Sequence, residues 1–213
     1  YDLNTYSGHR GSDNDFLTLG TLVNGLPLIK TNIALVGEGA FTTTIARYGG
    51  NPYRLIHVTA AGHLTLQKVT LTNGDVGTWD VGGGAIEVFG DAVIEDCCLG
   101  PDNKSNYGGA LVNAGSGTVI IRRCDIFGNQ ADWGGGIYNY TNAKTNLYDT
   151  RVADNKAITN LGGLYYAGGI YNANLTYDDR PLLHCRQPRT ARWRRDEQSQ
   201  RRPNHHYQIY HLE

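Results

Sequence analysis

No methionine occurs in the 213 residues, so Tyr1 is not a translation start and the chain reads as a processed product or a piece of a longer reading frame. Charge is sparse at 18%, and the formal net charge is −1. Such a balance lacks the dense positive field that holds nucleic acid or an anionic membrane surface, so no nucleic-acid partner is expected. No apolar run approaches the length of a membrane-spanning helix, about 20 residues. The four cysteines, Cys97, Cys98, Cys124 and Cys185, fit neither zinc-binding spacing nor a CxxC motif. They fix no redox compartment, and no metal or cofactor is expected. Helical periodicity is missing as well, which removes helix bundles and α/β layers from consideration.

What the sequence has is glycine, 28 in all, none of it after Gly169. The glycines recur in strings. Gly83-Gly84-Ala85-Ile86 is followed by Gly108-Gly109-Ala110-Leu111-Val112-Asn113, then by Gly134-Gly135-Gly136-Ile137-Tyr138-Asn139 and Gly168-Gly169-Ile170-Tyr171-Asn172. A second string lies between these copies. It starts at Leu66, Ile94, Ile121 and Leu147, at intervals of 28, 27 and 26 residues, and each copy is followed by Asn73, Asp102, Asn129 or Asn155.

A fixed period of this length, filled with short β-branched runs and broken by glycine and asparagine, has one economical reading. Two or three short strands without a helix cannot bury their own apolar face. Stacking one copy on the next does bury it, with strands about 4.8 Å apart. The expected fold is therefore all-β: a right-handed parallel β-helix with coils of about 26–28 residues and a non-repeating C-terminal tail. Residues 1–25 form a lead-in or N-terminal cap, 26–176 the helix, and 177–213 the tail. Equivalent residues stack, so Cys97, Cys124 and Thr150 are expected as an inward ladder of small buried side chains rather than a metal or redox centre. Asn113, Asn139 and Asn172 are expected as a second structural ladder near a corner, with stacked amides satisfying one another.

The segments NIALVGEGA (32–40), RLIHVTAAGHLTLQKVTLTNG (54–74) and GGGAI (82–86) resemble bacterial right-handed β-helix proteins of the pectin-lyase-like class. GNQADWGGGIYN (128–139) is similar to the repeats of polymorphic outer-membrane and adhesin-like surface proteins. The resemblance covers roughly residues 25–176. It implies an exported, secreted or cell-surface bacterial protein whose signal peptide is not part of this chain.

Residues 177–213 follow other rules. They hold eight arginines, no lysine and five acids, whereas the body holds 11 basic residues against 15 acids. Read one nucleotide later, the codons around Trp193, Arg194 and Arg195 permit a triple glycine, and those of Arg186, Gln187 and Arg189 permit G-N-x-A ahead of it. The tail is thus read as the repeat continued out of frame, with the slip between about Asn174 and Asp179, and is expected to be disordered. The competing reading is a true basic tail for an acidic partner.

Catalytic chemistry is not evident. Galacturonan hydrolases of this fold carry NTD, DD and GHG motifs. The body has none, and the single Asp-Asp pair, Asp178-Asp179, lies in the tail. Glu95 and Asp96 are adjacent, but strand alternation sends them different ways. His57 and His63 stand alone in sequence. No catalytic residue is assigned. Tyr138 and Tyr171 hold the same place in successive copies and are expected to point outward, with Tyr140, Tyr165 and Tyr166 nearby. Such a platform suits sugar rings or a partner protein; simple cross-strand stabilisation is the plainer use. Two functions follow. The first is a non-catalytic module for surface display, adhesion or carbohydrate contact, with a polysaccharide or a host or cell-surface protein as partner and end-to-end self-association through open coil ends. The second is a fragment of a polysaccharide lyase or glycoside hydrolase whose catalytic coils lie elsewhere.

Overall fold

The computed structural model describes residues 24–50, 52–77, 82–140, 142–158 and 167–173. The tail expected to be disordered and out of frame and most of the lead-in therefore lie outside the described residues. So do Tyr165, Tyr166 and Cys185.

The described residues form strands and turns only, stacked as a parallel β-solenoid. The first coil contributes β1 (Asn32–Val36) and β2 (Thr44–Ala46). The second has β3 (Ile56–Val58), β4 (His63–Gln67) and β5 (Thr70–Thr72). The third has β6 (Ile86–Val88), β7 (Asp91–Glu95), β8 (Cys98–Leu99) and β9 (Lys104–Tyr107). The fourth has β10 (Leu111–Asn113), β11 (Thr118–Arg122), β12 (Asp125–Phe127) and β13 (Gln130–Trp133). The fifth has β14 (Ile137–Asn139), β15 (Lys144–Tyr148), β16 (Arg151–Ala153) and β17 (Lys156–Ala157), and β18 (Ile170–Asn172) opens the next. Each strand pairs in parallel with its equivalents one coil away. Four sheets result: β3-β6-β10-β14-β18, β1-β4-β7-β11-β15, β2-β5-β8-β12-β16 and β9-β13-β17.

The core is built of columns. Leu66, Ile94 and Ile121 lie in register and are fully buried, as are Ile56, Ile86, Leu111 and Ile137. Leu71, Leu99 and Ile126 make a third column. Alternation along each strand puts these side chains inward and their neighbours outward.

From the second coil on, three corners use left-handed backbone, and the residue types fit. The first corner carries Lys68, Asp96, Arg123 and Asp149, with φ of 56°, 54°, 51° and 46°. Their charges alternate in sign along the axis, and Arg123 makes a two-pronged bond to Asp96 at 2.7 and 2.9 Å. The second corner carries Asn73, Asp102, Gly128 and Asp154. The third carries Gly83, Gly108, Gly134 and, in the last described coil, Ala167. Here glycine also answers to crowding, since a Cβ on Gly134 would stand 2.2 Å from the carbonyl oxygen of Ile137.

The amide ladder runs one corner away from its expected place. Asn103 Nδ2 donates to Asn129 Oδ1 at 2.9 Å, and Asn129 Nδ2 to Asn155 Oδ1 at 2.8 Å. The same amides also donate to the carbonyls of Leu71, Leu99 and Ile126. By contrast, Asn113, Asn139 and Asn172 lie in register, but Asn113 Nδ2 donates to Lys144 O and Thr145 Oγ1. The Thr145 hydroxyl in turn donates to Asn139 Oδ1 at 2.6 Å. Asn113 Oδ1 is buried and finds no partner among the described residues. The reason is position: Asn113 and Asn139 end their strands where the chain turns away, while Asn103, Asn129 and Asn155 follow a left-handed residue that aims each amide along the axis.

Candidate functional site

The outward side chains of the sheet β3-β6-β10-β14-β18 form one row along the axis: His57, Glu87, Val112, Tyr138 and Tyr171. One end of the row is charged and the other aromatic.

At the aromatic end, Tyr138 and Tyr171 stack with centroids 5.1 Å apart and planes 11° from parallel. They sit in register on β14 and β18, which forces this overlap. Tyr140, two residues on from Tyr138, meets its edge at 4.9 Å. Two further rings arrive from β9 and β13 across the glycine corner. Tyr107 meets Tyr138 edge-on at 4.9 Å, and Trp133 meets Tyr171 edge-on at 5.3 Å. Tyr107 and Trp133 are themselves in register and stacked at 6.1 Å. The glycines at 108–109 and 134–136 make this convergence possible by turning the chain without side chains in the way.

The result corrects the expected open platform. Tyr138 does point away from the solenoid core, but only 6% of it is exposed, because Tyr107, Tyr140 and Tyr171 close over it. Burial, and the neighbouring hydroxyls of Tyr140, Tyr171 and Tyr107 after it, push the Tyr138 phenol well above the usual tyrosine range. The half-exposed rings are Tyr107, Trp133, Tyr140 and Tyr171. Tyr107 and Trp133 escaped sequence reading because they sit a quarter-coil away from the tyrosine repeat. Their signal was nevertheless there: each directly precedes a corner glycine, Gly108 or Gly134.

Beside Trp133 lies Asp132, whose carboxyl is raised above the usual carboxylate range by burial. Gln130 and Asp132 share one face of β13, and Gln130 stands in register between Lys104 and Lys156.

At the charged end, His57 is not isolated. Its Nδ1 lies 2.9 Å from Glu87 Oε2, and the Arg54 guanidinium lies 2.8 Å from the same oxygen. Arg54 also donates to the carbonyls of Gly82 and Gly83. Glu87 is thus committed to two partners, and four further body acids are paired as well. Glu95 is bonded by Gln67 and Arg122, Asp96 by Arg123, and Asp125 by Arg151. Asp91 faces His63 at 3.1 Å. Such ties along the axis hold coil to coil and leave these carboxylates poorly placed for proton transfer.

The ladder of Cys97, Cys124 and Thr150 faces inward on adjacent coils. Cys97 N–H donates to Cys124 Sγ and Cys124 N–H to Thr150 Oγ1, both at 3.4 Å. Among the described residues, no group of three or more metal-ligating side chains converges, and no helix is long and apolar enough to cross a membrane. No protein-family model, curated protein or solved structure matches the chain.

Proposed function

We propose that the chain is a non-catalytic, exported β-helix module of the bacterial cell surface or its surroundings, which contacts carbohydrate through the aromatic corner. The observation that carries this reading is the convergence of five rings, four from strands and Tyr140 from the turn after β14, on one outer corner. Sheet stabilisation alone needs only in-register neighbours. Here Trp133 and Tyr107 cross from another sheet to join Tyr138 and Tyr171, leaving four ring faces or edges partly open. Flat apolar faces bordered by hydrogen-bonding groups suit a sugar ring, which has an apolar face and a polar rim. The repeat of the solenoid, about 4.8 Å per coil, presents such rings at regular steps along an extended chain.

Support for export and surface display comes from the resemblance of the 32–86 and 128–139 segments to pectin-lyase-like and adhesin-like surface proteins. The test is co-sedimentation of the 213-residue chain with insoluble cellulose, chitin and xylan, and affinity electrophoresis in soluble neutral and acidic polysaccharides. Retention by at least one glycan that falls in Trp133→Ala and Tyr171→Ser, but not in Tyr138→Phe, supports the reading. Equal retention of all four proteins contradicts it.

One observation favours a second reading, a fragment of a polysaccharide hydrolase or lyase. A general acid needs a carboxyl raised above the usual carboxylate range, and burial shifts Asp132 in that direction. Release of reducing ends or unsaturated products that disappears in Asp132→Asn would establish that reading over the first.

A further inference from the structure

The column Val69–Cys97–Cys124–Thr150 follows the first corner of successive coils, one residue ahead of the in-register positions Thr70, Cys98, Asp125 and Arg151. Both thiols point into the core, 2% and 4% exposed. Both are free. Cys97 N–H reaches Cys124 Sγ at 3.4 Å, and each thiol donates to the carbonyl two residues before it, Glu95 or Arg122, at 3.1 Å. The two sulfurs are therefore held side by side, with the same orientation, on neighbouring coils. Adjacent parallel strands are about 4.8 Å apart, inside the span of about 4.4–6.8 Å between Cα atoms that a disulfide bridges.

We propose that Cys97 and Cys124 are an oxidation site, closing an inter-coil disulfide when the chain folds in the presence of a small-molecule disulfide. The chemistry balances by exchange. One cysteine thiolate displaces a thiolate from the reagent, forming a mixed disulfide. The second cysteine sulfur then attacks the first, releasing the other half of the reagent. One S–S bond breaks, one forms, and the two thiol protons leave on two molecules of the reduced reagent. Burial places the exchange during folding, before the fourth coil has closed over the third, and protects the bond afterwards. Cys98 is no rival, since it points to the outer face beside Asp125 and its thiol is raised by burial.

The bond would join coils three and four through residues 27 positions apart. Cross-linking of that kind restrains the unfolded chain more than the folded one.

The test is refolding of the full chain from denaturant with oxidised and reduced glutathione, followed by alkylation and tryptic mass mapping. Cleavage after Lys68, Lys104, Arg123 and Lys144 separates peptide 69–104 from peptide 124–144. The expected product is these two peptides joined, two hydrogens lighter than their sum, in the wild type and in Cys98→Ser, and absent in Cys124→Ser. The oxidised wild type should also unfold at higher urea than the same protein after reduction. Recovery of Cys97 and Cys124 fully alkylated, or of a link through Cys98 or Cys185, overturns the proposal. The Cys98→Ser map decides the matter if Cys124→Ser does not fold.

Discussion

Tyr138 lies flat against Tyr171 one coil away, their planes 11° apart, and is sealed from solvent by Tyr107 and Tyr140. This pair shows how the solenoid works. Register alone stacks the two rings, and the neighbouring sheet decides how much of them a ligand can reach.

The sealed phenol makes alkaline stability a readout. The Tyr138 phenol is raised by burial, whereas in the unfolded chain a tyrosine ionises near pH 10. The native state thus holds its proton while the unfolded state gives it up. Its contribution is complete below about pH 10 and declines as pH rises from there towards the folded value. Urea midpoints measured from pH 8 to 11 should fall less steeply in Tyr138→Phe than in the wild type. Parallel curves would contradict the burial of this hydroxyl.

The amide ladder should be the costliest polar feature to cut. Asn129 accepts from Asn103 and donates to Asn155 and to the Leu99 carbonyl; Asn103 and Asn129 are fully buried and Asn155 is half-buried. Asn129→Ala strands these partners, at about 1–3 kcal/mol for each group left unsatisfied. Asn113 has an unpartnered Oδ1, so Asn113→Ala should cost less. Equilibrium urea unfolding of the two variants gives the ranking, and a reversed order would refute it.

Equivalent corner positions should respond with opposite signs. Gly134 has φ of 63° and no room for a Cβ, so Gly134→Ala should destabilise by about 2–3 kcal/mol. Ala167 holds the matching place at φ of 51°, and Ala167→Gly should be neutral or stabilising by up to about 1 kcal/mol. Thermal melts of the two variants settle the comparison.

The charge column at the first corner should matter mostly at low salt. Arg123 holds the Asp96 carboxyl below the usual carboxylate range. Asp96→Asn keeps a residue tolerant of left-handed backbone and removes only the charge. Its melting temperature should drop at low ionic strength, with the difference shrinking at about 1 M salt, where charges are screened beyond about 3 Å. A salt-independent difference would point to backbone strain instead.

Much of the fold was legible in the sequence because stacking repeats its demands. The intervals from Leu66 to Ile94, Ile121 and Leu147 are the core column, and the glycine strings are the third corner. What was illegible involves relations across corners. Asp102 and Asn103 are neighbours, and only the backbone shows that Asp102 makes the left-handed turn while Asn103 joins the ladder. The five-ring corner draws on Tyr107 and Trp133, which carry no tyrosine repeat of their own. Glu87, invisible as a candidate in sequence, meets Arg54 and His57 only once β3 and β6 lie side by side.

The most direct test of the account is a glycan array of neutral and acidic oligosaccharides probed with the full chain, Trp133→Ala and Tyr171→Ser. The wild type should bind at least one glycan, and both variants should lose most of that signal while keeping the wild-type circular dichroism spectrum. Binding undiminished in both folded variants, or no binding by the wild type to any glycan, would contradict a carbohydrate-contacting aromatic corner.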